Sequence, residues 1–233
     1  MSIKVLITAG GTCEAIDDVR IFEMREVVGN LTSLSHLEVA NISKGGFGKR
    51  IAEEFTLQGA EVTLLCRWDL IKSITDPSIK TVPFRSFEDL QREIFALLEK
   101  ENFDIILMAA AVSDYSPVKV EGKISSDSDE FNLKFKRNPK LLSELREKSG
   151  SNTMIVGFKL LSGVPEETLI NAARKQNSRA SLDFTVANDM KKIDWVSKHH
   201  PIILVGAKGN TTSMDGHRKD VTKKLVQTLI EAK

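Results

Sequence analysis

The sequence predicts a doubly wound α/β fold with a mostly parallel sheet, on three observations. Short apolar runs rich in β-branched residues alternate with amphipathic helical patterns. Several of those runs end in glycine or small residues. The 233 residues, 41% hydrophobic and 28% charged, suffice for a full core. Residues 3–8 (IKVLIT), closed by Ala9-Gly10-Gly11, read as a strand buried on both faces. Residues 48–58 (GKRIAEEFTLQ) place Ile51, Ala52 and Phe55 at helical spacing and stop at Gly59. A strand over 61–65 follows, then a helix over 86–100 with Phe87, Leu90, Ile94, Leu97 and Leu98 inward, then a buried strand over 103–109. The β-α-β-α-β order implies right-handed crossovers within one parallel sheet.

The second half continues the pattern. Residues 131–137 (FNLKFKR) alternate apolar and polar, predicting a strand with one exposed face. Pro139 opens a helix, and strands over 154–158 and 183–187 flank a helix over 166–177. Residues 202–205 and 211–214 form a hairpin about Lys208-Gly209-Asn210, and a helix over 219–232 closes the fold. With no internal repeat, low-complexity stretch or linker, residues 1–233 read as one domain. Residues 21–40 sit where a short loop should join the first strand to the next glycine-rich turn, and read as an inserted helix or hairpin.

Composition narrows the function. A net charge of +1, from 33 basic and 32 acidic residues, offers no basic stripe for nucleic acid. No run of 18 apolar residues predicts a membrane span. The opening MSIKVLITAGGT is a strand and turn, not a secretion signal, so Cys13 and Cys66 read as free thiols and the cytoplasm is the expected compartment. The histidines His36, His199, His200 and His217 have no metal-ligand spacing, and His199-His200 before Pro201 reads as an exposed loop.

Residues 109–119 (AAAVSDYSPVK) contain Tyr115 and Lys119, the Tyr-x-x-x-Lys spacing of a nicotinamide-dependent short-chain oxidoreductase. That pair works on one helix face, but Pro117 stands between the two residues and a strand immediately precedes them. Gly10-Gly11 is also not the G-x-G-x-x-G fingerprint. The loop 41–48 (NISKGGFG) runs into a helix, an arrangement that either admits a phosphate to the helix N-terminus or simply makes a tight turn. Strand ends at Gly10-Gly11, at 109–114 and at Gly157-Phe158 would place one crevice at the carboxyl edge of the sheet. Asp114 there could bind Mg²⁺ or a ligand hydroxyl, or cap a loop. Lys123 could stabilise charge on a phosphoryl group, or be a solvated lysine.

Together, ITAGGTCEAIDDVR (7–20), NISKGGFGKRIAEEF (41–55), AAAVSDYSPVKVEGKISS (109–126), LKFKRNPKLL (133–142), VGFKL (156–160) and LDFTVAND (182–189) resemble phosphopantothenoylcysteine synthetases of coenzyme A biosynthesis, in the family's order. The stand-alone form is the better match. The resemblance implies a Rossmann-like, dimeric, cytoplasmic ligase using Mg²⁺ and CTP or ATP, with CTP favoured. The carboxylate of 4′-phosphopantothenate would attack the α-phosphate, and cysteine would then displace the nucleotide. Gly11, Ser43, Gly45 and Gly48 match nucleotide-binding positions, and Phe158 and Asn188 match nucleoside contacts. Asn41 matches the asparagine that holds the substrate and acyl intermediate, and Ala110, Ala111 and Asp114 match the substrate-side turn. Lys123 matches a flap lysine that assists acyl-nucleotidylate formation. Arg20 matches an arginine that reaches the neighbouring protomer's substrate. Two departures stand out. Asn41 lies 21 positions after Arg20, where the family spaces them closely. Where CTP-using bacterial relatives carry two lysines, this chain has Gln176 and Ala180, with Lys175 and Arg179 beside them. A non-catalytic nucleotide-binding relative is the further alternative.

Overall fold

The computed structural model describes residues 2–17, 21–23, 43–124 and 132–233. The insertion expected at 21–40 falls outside them from residue 24 onward, as do Arg20 and Asn41. In chain order the strands and helices are β1 (Lys4–Ala9), β2 (Cys13–Ala15), β3 (Ile21–Glu23), α1 (Gly46–Leu57), β4 (Glu61–Arg67), β5 (Lys80–Phe84), α2 (Phe87–Lys100) and β6 (Ile105–Met108). Then come β7 (Tyr115–Pro117), β8 (Phe135–Arg137), α3 (Leu141–Ser149), β9 (Met154–Leu161), α4 (Glu166–Ala180), β10 (Phe184–Asp189), β11 (Ile202–Gly206), β12 (Thr211–Met214) and α5 (Arg218–Glu231).

The main sheet has the order β12-β11-β10-β9-β6-β1-β4-β5. It is parallel from β5 to β10, and the β11–β12 hairpin adds antiparallel strands at the far edge. The chain winds outward from β1 through β4 to β5, then returns to β6 on the other side of β1. Such a reversal of strand order opens a crevice at the carboxyl edge, where α/β sheets bind ligands. This is a Rossmann-like fold with a C-terminal hairpin and helix.

Why β1 lies at the centre follows from its side chains. Val5, Leu6, Ile7, Thr8 and Ala9 are all wholly buried. Val5, Ile7 and Ala9 join the core under α1 and α5, with Ile51, Phe55, Val221 and Leu225. Leu6 joins the opposite core, with Phe87, Leu90, Ile94 and Leu141. A strand whose alternate residues meet two apolar layers must be apolar throughout. Each of these buried aliphatic side chains contributes about 1.5–3 kcal/mol of transfer free energy. α2 starts where Ser86 accepts from the Asp89 N–H at 3.1 Å while Asp89 accepts from the Ser86 N–H at 3.1 Å, a reciprocal cap.

Several expectations need correction. The strand expected over 131–137 is described only as Phe135–Arg137, and it pairs with β7 in a separate ribbon rather than joining the sheet. The helix expected from Pro139 begins at Leu141, because Asn138 is buried and bonded into the ribbon. β5 was not anticipated; it is an edge strand interrupted by Pro83, which an edge tolerates. His200 is only 3% exposed, against the exposed loop expected of it. Tyr115 and Lys119 do not share a helix: Tyr115 begins β7, and Lys119 follows the strand. Among the described residues no helix is long and apolar enough to cross a membrane.

Gly48 and Gly46 offer a paired test of the packing at the start of α1. A Cβ on Gly48 would sit 2.8 Å from Ala9 Cβ and 3.1 Å from the Thr8 carbonyl oxygen, whereas one on Gly46 would meet nothing within 4 Å. Gly48→Ala is therefore expected to destabilise by about 1–3 kcal/mol despite alanine's better helix propensity. Gly46→Ala should be neutral or stabilising by up to about 1 kcal/mol. Urea denaturation of both variants measures the difference.

Candidate functional site

The ends of β1 and β6 are tied together beyond the strands. The Ala111 N–H donates to the Gly10 carbonyl at 3.0 Å, and the Thr12 N–H donates to the Ala111 carbonyl at 3.1 Å. The Ala110 N–H donates to Thr8 Oγ1 at 3.0 Å, and Thr12 Oγ1 bonds to Ser113 Oγ at 3.0 Å. Gly10 permits this with φ +98°, where a Cβ would lie 2.7 Å from Arg67 Cβ. Gly11, Ala110 and Ala111 thus form one floor.

Against this floor sits the N-terminus of α1. Gly45 is the N-cap, in a left-handed conformation with φ 75°, and no side chain caps the helix, Ser43 included. A Cβ on Gly45 would fall 2.8 Å from the Gly10 nitrogen. The first-turn N–H groups of an α-helix lack intrahelical partners and favour an anion. Gly45 and Gly48 therefore serve contact with β1 first, and this contact brings those donors to the strand ends.

On the β6 side, Asn138 is a clamp that sequence reasoning missed. Its buried amide Nδ2 donates to the Ser113 carbonyl at 2.9 Å and to Ser116 Oγ at 2.8 Å, and its N–H donates to the Asp114 carbonyl at 2.9 Å. Asp114 itself is exposed and ion-paired with Lys140. Beyond β7 the chain crosses back over β2. The Val120 N–H donates to the Ile16 carbonyl at 2.9 Å, and the Ile124 N–H donates to the buried Asp17 carboxylate at 3.1 Å. Lys123 rides on this strap, exposed to solvent. Glu14 is buried behind the strap and accepts from the Phe87 N–H at 2.8 Å. Burial pushes its carboxyl pKa above the ordinary value, against hydrogen bonds from Phe87, Ser116 and Thr12.

The opposite wall is aromatic. Phe47, on α1, meets Phe158 edge-on with ring centroids 6.2 Å apart and stacks on His200 at 4.4 Å. Phe158 and Asn188 lie near the carboxyl ends of β9 and β10, and both are half-buried. Arg218 Nε donates to His200 Nδ1 at 3.2 Å. An arginine N–H only donates, so Nδ1 is the acceptor and the neutral ring carries its proton on Nε2. The Asn188 amide nitrogen Nδ2 lies 3.4 Å from Nε2. Burial, then the charges of Arg218 and His199, push the His200 pKa down to about 4. Gln176 donates to the Phe158 carbonyl at 3.2 Å, and a Cβ on Gly157 would lie 2.6 Å from Gln176 Nε2. Gln176 therefore lies along β9. Among the described residues no three His, Cys, Asp or Glu side chains converge on a metal position.

The structure thus gathers Gly11, Gly45, Gly48, Ala110 and Ala111 at one floor, with Phe158 and Asn188 on a wall beside it. Asp114 lies on the turn after β6, and Lys123 lies on the strap. Arg218, Asn138 and Glu14 went unread in the sequence, and His200 was read as an exposed loop residue. Asn138 and Glu14 lie inside the quoted runs LKFKRNPKLL and ITAGGTCEAIDDVR, where nothing local singles them out.

Comparison with known proteins points the same way. A family model described as the C-terminal domain of DNA/pantothenate metabolism flavoproteins matches residues 38–232. The coenzyme A biosynthesis bifunctional protein CoaBC of Methanocaldococcus jannaschii is 30% identical over 224 residues, 96% of this chain and 49% of that protein. CoaBC of Thermococcus kodakarensis is 34% identical over 204 residues, 87% of this chain and 45% of that protein. The chain spans about half the length of these curated relatives. The crystal structure of the DNA/pantothenate metabolism flavoprotein from Streptococcus pneumoniae superposes over 100% of both chains with a TM-score of 0.82 at 25% identity. A Cab2 variant in complex with phosphopantothenate-cysteine shares the fold, covering 99% of this chain and 86% of that one, with a TM-score of 0.71 at 18% identity.

His200 makes stability depend on pH. Its folded pKa lies below the unfolded value near 6.5, so the unfolded chain takes up the proton first. The stabilisation is full above about pH 6.5 and is lost as pH falls towards 4, by about 3 kcal/mol. Urea melts at pH 7 and pH 4.5 should show a larger loss for the native chain than for His200→Gln.

Proposed function

The chain belongs to the family of the C-terminal domain of DNA/pantothenate metabolism flavoproteins, and from that premise we propose that it is a phosphopantothenate–cysteine ligase. The observation that carries this reading is the joining of a glycine floor, a helix N-terminus and an aromatic wall at the strand-order reversal, on the motifs that resemble the synthetases. Its relatives named for coenzyme A biosynthesis and the fold it shares with the Cab2 variant bound to phosphopantothenate-cysteine support it.

In the proposed reaction a carboxylate oxygen of 4′-phosphopantothenate attacks the α-phosphorus of the nucleotide. The bond to pyrophosphate breaks, leaving an acyl-nucleotidylate. The cysteine amine then attacks the acyl carbon, loses a proton and expels the nucleoside monophosphate, forming the amide. Gly11, Ser43, Gly45 and Gly48 receive the nucleotide, using the N–H groups at the start of α1. Phe158 and Asn188 take the nucleoside. Ala110, Ala111, Asp114 and Asn41 receive the pantothenate part, with Arg20 contributed across a homodimer. Lys123, carried on the strap, neutralises charge developing on the α-phosphate. Mg²⁺ suits a site of this kind because nucleotide phosphates hold it without an all-protein cage, and it would supply further charge neutralisation. CTP is the proposed nucleotide and ATP the alternative. The exposed Tyr115 and Phe135 of the β7–β8 ribbon, 50% and 42% accessible, suit contact with a second copy.

The test is pyrophosphate release with 4′-phosphopantothenate, cysteine and Mg²⁺, with CTP and ATP supplied in parallel. Release that depends on phosphopantothenate is expected; silence with both nucleotides would refute the ligase. Asn41→Asp and Lys123→Gln should each lower turnover at least tenfold, about 1.4 kcal/mol or more of barrier. Near-normal turnover in either variant removes that residue from the mechanism.

A further inference from the structure

Arg50, on α1, and Arg218, the first residue of α5, are two guanidinium groups short of partners. Arg50 Nε and Arg218 Nη2 are each buried with no hydrogen-bond partner. Among the described residues Arg50 forms no ion pair. Among the described residues the Arg218 guanidinium has only His200 Nδ1, a neutral acceptor, and the face of Trp195, with Cζ 5.0 Å from the ring centroid. Arg50 and Arg218 lie on α1 and α5, which pack against each other, and burial, then the charge of Arg50, depresses the Arg218 pKa. Their positions follow from the packing of α1 on α5, and Arg50 lies one helical turn after Phe47 on the same face. Phe47 stacks on His200, the residue that Arg218 holds.

Buried N–H groups are nearly always satisfied, and removing one from water without a partner costs about 1–3 kcal/mol, more when it is charged. Here two such groups of like charge lie on helices packed against each other, and neither the histidine nor the tryptophan ring beside Arg218 supplies a negative charge. The missing component is an anion. Arginine's planar fork matches the geometry of phosphate oxygens, and a pair of forks suits a group with several of them.

We propose that Arg50 and Arg218 form a phosphate-class anion site beside the Phe47–His200 stack, outside the glycine floor. The oxyanion is either the polyphosphate tail of the nucleotide or a free inorganic anion such as pyrophosphate. Only the first source rests on the ligase reading. In that case the arginines supply positive charge from the α1–α5 side, on a chain where Gln176 lies along β9.

The experiment is calorimetric titration of the full chain with inorganic pyrophosphate, orthophosphate, nucleoside triphosphate and nucleoside monophosphate at matched ionic strength, alongside thermal unfolding without ligand. Arg50→Met keeps the apolar stem and removes the charge. It should weaken pyrophosphate or triphosphate binding at least tenfold while raising the melting temperature of the ligand-free protein, since one of two repelling charges is gone. Arg50→Lys should fall between. A loss confined to triphosphate identifies the nucleotide tail, and a loss confined to the inorganic anions identifies a separate site; both support the proposal. Affinities within twofold of the native chain in Arg50→Met overturn it whatever the melting temperature does. So does a native chain that binds none of the four. Because pyrophosphate release is measured separately, an active ligase with an unchanged Arg50→Met titration loses this site and keeps its function, while a silent one with Arg50-dependent anion binding does the reverse.

Discussion

No side chain fits between the first turn of α1 and the end of β1. A Cβ on Gly45 would press into the Gly10 nitrogen, and one on Gly48 into Ala9 and the Thr8 carbonyl. This contact fixes where the unpaired N–H groups of α1 point, and it fixes them against the strand end where β1 and β6 diverge in chain order. It also places Phe47, between those two glycines, against Phe158 and His200. The glycines here act through packing as much as through approach to a ligand. A bulkier residue would move the helix, and with it the wall and the donors together.

The remaining features hold other parts of the crevice to that frame. Thr8 and Thr12 bind β6's extension to β1's extension. Asn138 brings the β7–β8 ribbon onto the turn after β6. Asp17 and Ile16 hold the strap that carries Lys123. Asp189 accepts from the Gly163 N–H at 2.7 Å and the Lys191 N–H at 2.9 Å, so the loop after β9 is fastened to the end of β10. Each is a hydrogen bond worth about 1 kcal/mol net but costly to leave unmade where its groups are buried. Their common effect is to fasten the loops around the crevice to the strand ends, with Lys123 exposed on the strap.

How much of this could be read in the sequence follows from the range of each interaction. β1, β4, β6, β9 and β10 were legible because a strand buried on both faces is an unbroken apolar run. β5 was not, because Pro83 and its half-exposed alternation belong to an edge. The glycine floor and the loop before α1 were legible from local spacing, although the role of Gly48 as a packing residue needed the position of Ala9. His200 was misread as an exposed loop residue because Pro201 and His199 look like one; only the distant Phe47, Asn188 and Arg218 bury it. The adjacency of Arg50 and Arg218 arises from α1 lying beside α5, about 170 positions apart in the chain, and no local pattern announces it.

The central claim is that a substrate carboxylate attacks the α-phosphorus in this crevice. It is tested most directly by supplying 4′-phosphopantothenate labelled with ¹⁸O in its carboxylate and analysing the nucleotide product by mass spectrometry. The account predicts one ¹⁸O in the nucleoside monophosphate, carried over when cysteine takes the acyl group. Unlabelled monophosphate, or label recovered in inorganic phosphate, would contradict it.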